Sequence, residues 1–257
     1  MPTPQLRPLL ARDGIFNARD LAGTPTSDGR VVRPGRLVRA DALHRSRRSA
    51  DALRQHGITR VIDLRDDRER DLDGVLAAEG IEVLHEPLLD PTFEWLDNTH
   101  PEPSEVLAHR YQLILESFPR RFAGAVDSIV EVVADPERPS GVAYHCAVGK
   151  DRTGLLTALL LGVLGVSDDV VVHDYARSSA ATAVQVSWLW SFGHPGGQVS
   201  DEELRIGVWS ARPATMRTTL AWLAAEHGGA AGYLRSAGVD EAQLDRLVAA
   251  VLQPPDD

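Results

Sequence analysis

Apolar positions along this chain fall into two alternating patterns. Short β-branched or apolar runs bounded by Gly, Pro or charged clusters occur at GRLVRADAL (35–43), ITRVIDLR (58–65), IEVLHEPLL (81–89) and GVAYHC (141–146), and runs of that kind predict strands. Between them, SADALRQHG (49–57), PSEVLAHRYQLILESF (103–118) and RRFAGAVDSIVEVVAD (120–135) repeat apolar residues at helical spacing. After residue 153 almost everything reads as helix. GLLTALLLGVLGV (154–166) is a buried helix, SDDVVVHDYARSS (167–179) opens on a Ser or Asp cap, and RPATMRTTLAWLAAEHGG (212–229) has Pro near its start and Gly past its end. VDEAQLDRLVAAVLQ (239–253) closes the series. Strands interleaved with helices, followed by a helical half, predict one α/β domain over residues 1–257 with a central sheet covered on both faces. The mixed-sign run RDDRERDLD (65–73) reads as a solvated loop. Residues 90–119 and 180–211 read as excursions from the sheet, and each is a candidate lid.

Composition narrows the partners. A formal charge of −10 opposes a nonspecific grip on nucleic acid or on an anionic membrane, so an anionic ligand has to be held by a local positive site. The longest apolar run has 13 residues, short of the roughly 20 that span a bilayer, and predicts no integral membrane segment. One cysteine, Cys146, permits neither an internal disulfide nor a Cys-based zinc cluster. With no secretory pattern at the N-terminus, a reducing, cytoplasmic location is expected.

Of the 27 basic residues all but Lys150 are arginine, and that lysine lies four positions after the only cysteine, in YHCAVGKDRTG (144–154). The stretch reads strand, turn, then a helix started by glycine. Five residues between Cys146 and Arg152 let the backbone of Ala147, Val148, Gly149, Lys150 and Asp151 curl so that successive N–H groups face one centre, where a phosphate dianion can sit. The following helix points its positive end at the same spot. Amide donors, helix terminus and Arg152 all favour the thiolate, making Cys146 a nucleophile. Arg152 offers a planar fork for two phosphoryl oxygens. Thr153 can donate its hydroxyl to the sulfur, and His145 can fix the loop through its ring nitrogens. The string is not a nucleotide-binding loop, because G-x-x-x-x-G-K-[ST] needs Gly at Tyr144 and Ser or Thr at Asp151. No zinc pattern occurs among the nine histidines, so neither metal nor cofactor is implied.

The loop resembles that of the bacterial tyrosine phosphatases with an HCxxGKDRTG motif. FNARDLAG (16–23), RPGRLVRADAL (33–43), GITRVIDLRDDRE (57–69), DYARS (174–178) and GGAAGYLRSAGV (228–239) resemble further blocks of that family, with Ala18 where an aromatic is usual. The resemblance implies a phosphatase fold with a mixed sheet, a phosphocysteine intermediate and no metal. It implies substrates that include phosphotyrosine and, in several members, phosphoinositides. Lys150 and Asp151 then stand where the family is similar to lipid phosphatases. A second cation at the rim engages an extra phosphate on an inositol ring; the alternative is that Lys150 only neutralises Asp151. A general acid is still required to protonate the leaving oxygen. Asp90 matches the family's acid loop by position, although Leu89 stands where Pro is usual, and Asp151 and Asp63 are the further candidates. In WLWSFGHPGG (188–197), Trp188, Trp190 and Phe192 read either as core or as part of a lid.

These residues predict a cysteine-dependent phosphatase, and the resemblance implies that it acts on phosphotyrosine, with phosphoserine, phosphothreonine and phosphoinositide monoesters as further substrates. The competing readings are a silent phosphoprotein- or phosphoinositide-binding module and a rhodanese-like sulfurtransferase.

Overall fold

The computed structural model of this chain describes residues 14–90, 103–191 and 209–255. Its strands are β1 (Arg19–Asp20), β2 (Val31–Val32), β3 (Leu37–Ala40), β4 (Ile58–Asp63), β5 (Glu82–His85), β6 (Gly141–His145) and β7 (Leu252–Gln253). Five of them form one sheet in the order β1-β3-β6-β4-β5. β1 runs antiparallel to β3 and the other neighbours are parallel, so the sheet is mixed. β2 and β7 pair separately as a small antiparallel ribbon.

Side chains of the central strands alternate between two cores, as the two-residue period of a strand requires. Val142 and Tyr144 of β6 and Ile62 of β4 face the larger core. Ala143 of β6 and Val61 of β4 face the smaller one, which is closed by Leu53 of helix α1 (Ser49–Gln55). The larger face is covered by α4 (Pro119–Val133) and α5 (Asp151–Val163). In α4 the buried Phe122, Val126, Ile129 and Val133 recur every three or four residues. By contrast α5 is buried from Arg152 through Leu161, because helices as well as the sheet surround it. Each fully buried leucine there contributes about 1.5–3 kcal/mol of apolar burial, which anchors the helix whose first turn carries Arg152.

The remaining helices are α2 (Asp67–Asp73), α3 (Pro103–Ser117), α6 (Asp168–Ala176), α7 (Ser178–Ser191), α8 (Pro213–His227), α9 (Ala230–Ala237) and α10 (Glu241–Val251). α2 corrects the reading of residues 65–73 as a loop. Asp66 accepts from Glu69 N at 2.9 Å while Glu69 accepts from Asp66 N at 3.0 Å, a reciprocal cap that starts a helix with no buried residue. Of the two excursions, α3 and α7 supply the described parts; residues 91–102 and 192–208 lie outside the described residues.

Parallel pairing brings the ends of β3, β4 and β6 level, with both Ala40 and Asp63 opposite His145. The segments that leave these three strands therefore emerge together at the carboxyl edge of the sheet, where open α/β sheets place their ligand sites.

Candidate active site

Cys146 follows β6 directly and is almost wholly buried. Its Sγ accepts a hydrogen bond from Gly149 N at 3.3 Å, so the loop curls back over the sulfur. Gly149 has φ +70°, and a Cβ there would lie 2.5 Å from the carbonyl oxygen of Ala40, so only glycine fits. At Gly154 a Cβ would press on Tyr175 at 3.1 Å.

The loop's carbonyls are held from outside. Ala147 O accepts from Gln185 Nε2 of α7 at 3.0 Å and from Ala42 N at 3.3 Å. Val148 O and Gly149 O accept from Asn17 Nδ2 at 3.1 and 3.0 Å, and Gly149 O also accepts from Arg39 Nη2 at 2.8 Å. Carbonyls drawn outward leave the opposite side of the loop to its N–H groups, the arrangement that binds an oxyanion. These donors are themselves braced. Asp41 accepts from Phe16 N and Asn17 N at 3.0 and 2.9 Å, and Asp174 of α6 accepts from Arg39 Nη1 at 2.5 Å and Arg19 Nε at 2.7 Å. Burial pushes the Arg19 guanidinium down to about 10, and the neighbouring Arg39 adds to this against the pull of Asp174. Burial opposes ionisation of Asp174, yet the two arginines hold its carboxyl well below the usual range.

Arg152 meets Glu69 end-on. Its Nη2 lies 2.6 Å from Glu69 Oε1, and its Nη1 bonds Oε2. The Nε–H edge stays buried with no hydrogen-bond partner among the described residues, leaving one side of the guanidinium available to an oxyanion. Burial works against both charges, but the Arg152 bond lowers the Glu69 carboxyl; Glu69, Cys146 and Asp151 together raise Arg152. The sequence reading missed Glu69, whose signal was the D-x-x-E capping spacing inside the charge run.

The other sequence candidates divide. His145 is fully buried, with Nδ1 3.2 Å from Cys146 O and Nε2 3.9 Å from Asp63 Oδ1. Asp63 is gripped by Arg65 Nε and Nη2 at 2.9 and 2.8 Å; although burial raises its carboxyl, the bonds to Arg65 and the charge of His145 bring it down to about 2. That describes a structural carboxylate rather than a proton donor. Thr153 Oγ1 is buried without a hydrogen-bond partner among the described residues, so it does not bond the sulfur in this structure. Lys150 is only 3% exposed, and its Nζ lies 3.1 Å from Asp151 Oδ1. It is therefore not an open rim cation. Asp151 also accepts from Tyr111 OH at 2.6 Å, and Tyr111 sits 2.8 Å from Tyr175 OH. Burial, reinforced by the charge of Asp151, raises both phenols.

Asp90 is brought to Arg121 of α4, 3.5 Å away, and Arg121 also donates to Leu89 O at 2.6 Å and Pro87 O at 3.1 Å. Trp188 packs edge-on against Phe16 with ring centroids 6.1 Å apart, beneath the Arg45 guanidinium at 6.0 Å. Phe192 and the side chain of Trp190 lie outside the described residues. Among the described residues no cluster of His, Cys, Asp and Glu is arranged to hold a metal ion, and no helix is long and apolar enough to cross a membrane.

Comparison with known proteins matches residues 10–253 to the model of the tyrosine phosphatase family. The chain is similar to the triple specificity protein phosphatase PtpB of Mycobacterium tuberculosis, 30% identical over 268 residues, covering 91% of this chain and 95% of that protein. It is also similar to a putative tyrosine-protein phosphatase of Cupriavidus necator, 29% identical over 180 residues, covering 68% of this chain and 64% of the relative. A crystal structure of P. aeruginosa TpbA aligns over 86% of this chain and 89% of its own, at 16% identity and a TM-score of 0.31. With a family match over nearly its whole length, the chain belongs to the tyrosine phosphatase family.

Proposed function

We propose that the chain hydrolyses phosphotyrosine through a phosphocysteine intermediate formed on Cys146. The observation that carries this reading is the loop whose Ala147, Val148 and Gly149 carbonyls are drawn outward while Gly149 N turns onto the sulfur. The phosphoryl group sits among the inward N–H groups and against the Nε edge of Arg152. Cys146 sulfur attacks phosphorus, forming an S–P bond as the bond to the tyrosyl oxygen breaks, and Asp90 gives its proton to that oxygen. Water then attacks phosphorus, the S–P bond breaks, and phosphate leaves with the thiolate restored. The charge that develops on the equatorial oxygens is met by the loop amides, the first turn of α5 and Arg152.

A relative named for triple specificity supports phosphoserine and phosphothreonine as further substrates. Phosphoinositide hydrolysis is implied by the family resemblance; the selecting role given to Lys150 is less well supported, because the Lys150–Asp151 pair favours the alternative, a lysine that neutralises its neighbour. The deciding experiment compares phosphotyrosine, phosphoserine and phosphothreonine peptides with mono- and polyphosphorylated inositol lipids, using wild type and Lys150→Ala. Turnover of phosphotyrosine peptide above the lipids, with a uniform loss in the variant, supports this reading. A loss confined to the lipids would return the selecting role to Lys150. Failure to hydrolyse any phosphomonoester, with phosphopeptide still bound, would make the chain a binding module; persulfide formation from thiosulfate would make it a sulfurtransferase.

A further inference from the structure

At the opposite end of β6 from Cys146, roughly 17 Å away along five residues of strand, lies a groove of about 360 Å³. It is lined by Arg33 and Arg36 from the segment between β2 and β3, by Asp135 and Pro139 from the α4–β6 connection, and by Arg246 of α10. Its volume falls within the range of small-molecule sites.

The charges in this groove are unbalanced. Arg33 Nε donates to Leu252 O at 2.8 Å and Arg36 Nη1 to Ser140 O at 3.1 Å, so backbone carbonyls aim both guanidinium groups. Among the described residues no carboxylate lies within ion-pair distance of Arg33, Arg36 or Arg246. The one acid in the lining, Asp135, accepts from Glu137 N and Arg138 N at 2.8 and 3.1 Å. Burial, and then the charge of Arg33, lower Arg36 from its ordinary value. Placing guanidinium groups side by side without a counter-charge is unfavourable unless an anion joins them. In a chain of net charge −10 this is a local reversal of sign. Val133, Ala249 and Ala250 add apolar wall.

We propose that this groove is a second anion site, separate from the catalytic loop, for a small organic oxyanion: a phosphate or carboxylate head on a compact apolar body. Guanidinium forks match the planar carboxylate and the phosphate edge alike, and the apolar wall takes the body.

The test follows backbone amide NMR signals of Ala134, Ala249 and Ala250 during titration with phenylphosphonate and, separately, benzoate, which distinguish the two head groups. Saturable shifts at these amides are expected. Affinity is expected to fall at least about tenfold, the loss of one charge-assisted bond, in Arg246→Gln and in Arg36→Gln. Among the described residues Arg246 makes no hydrogen bond or ion pair, so its variant is expected to keep the fold, and turnover of aryl phosphate is expected to be unchanged in both. Absence of saturable shifts, equal affinity in the variants, or the same shifts from chloride at matched ionic strength would overturn the site.

Discussion

Glu69 Oε1 lies 2.6 Å from Arg152 Nη2, and the same carboxylate caps the helix that carries it. One side chain thus ties the start of α2 to the start of α5 and decides which edge of the guanidinium faces the loop. Glu69→Gln is expected to lower kcat for aryl phosphates by about 10²-fold, the scale of a misplaced catalytic group. Because an amide still fills the space, the urea midpoint is expected to shift less than for a core truncation. Unchanged kcat would remove Glu69 from the site.

Asp174 neutralises two buried guanidinium groups, and one of them, Arg39, holds the Gly149 carbonyl. Asp174→Asn leaves both cations buried without a full counter-charge, so a loss of about 3–5 kcal/mol in denaturant unfolding is expected. The cost should fall sharply when Arg19 is replaced by methionine in the same chain, since one unpaired charge goes with it.

Asp90→Asn is expected to slow hydrolysis of phosphotyrosine and alkyl phosphates by about 10²-fold or more, and to spare aryl phosphates whose leaving groups need no proton. Equal losses across leaving groups would move the acid role to Asp151.

Acid is expected to destabilise the fold in two stages. Burial holds His145 below its ordinary value, so the unfolded chain takes up that proton first. The stabilisation is complete above about pH 6.5 and declines as pH falls toward the native value, with a slope of at most about 1.4 kcal/mol per pH unit. His44, pushed by burial and by Arg65 down to about 3, adds in the same direction. Asp63, at about 2, stabilises the fold above about pH 4 and loses that effect as pH drops toward 2. Urea midpoints measured between pH 8 and 3 should show a shallower first stage in His145→Asn.

The strands that carry the site were legible because β4 and β6 are short apolar runs with sharp boundaries, and the loop was legible because Cys146, Gly149, Arg152 and Gly154 stand at fixed spacing. β1, β2 and β7 have two residues each, too few for any period to register. The bracing of the loop was hidden for a different reason. Asn17, Arg39 and Asp174 lie in segments that resemble family blocks, but their partners are far away in sequence, and burying a charge on another charge leaves no local pattern. Glu69 looked like one more solvated acid because α2 buries none of its residues. Lys150 looked like a rim cation until Asp151 was seen beside it in space as well as in sequence.

The central claim is covalent transfer to Cys146 inside a ring of amides. It is tested most directly by acid-quenching the enzyme during turnover of an aryl phosphate and mapping the modified peptide by mass spectrometry. A phosphoryl group on Cys146, absent in Cys146→Ser together with turnover, is the expected result. Sustained hydrolysis by Cys146→Ser, or phosphate release with no phosphorylated cysteine in the wild-type peptide map, would contradict it.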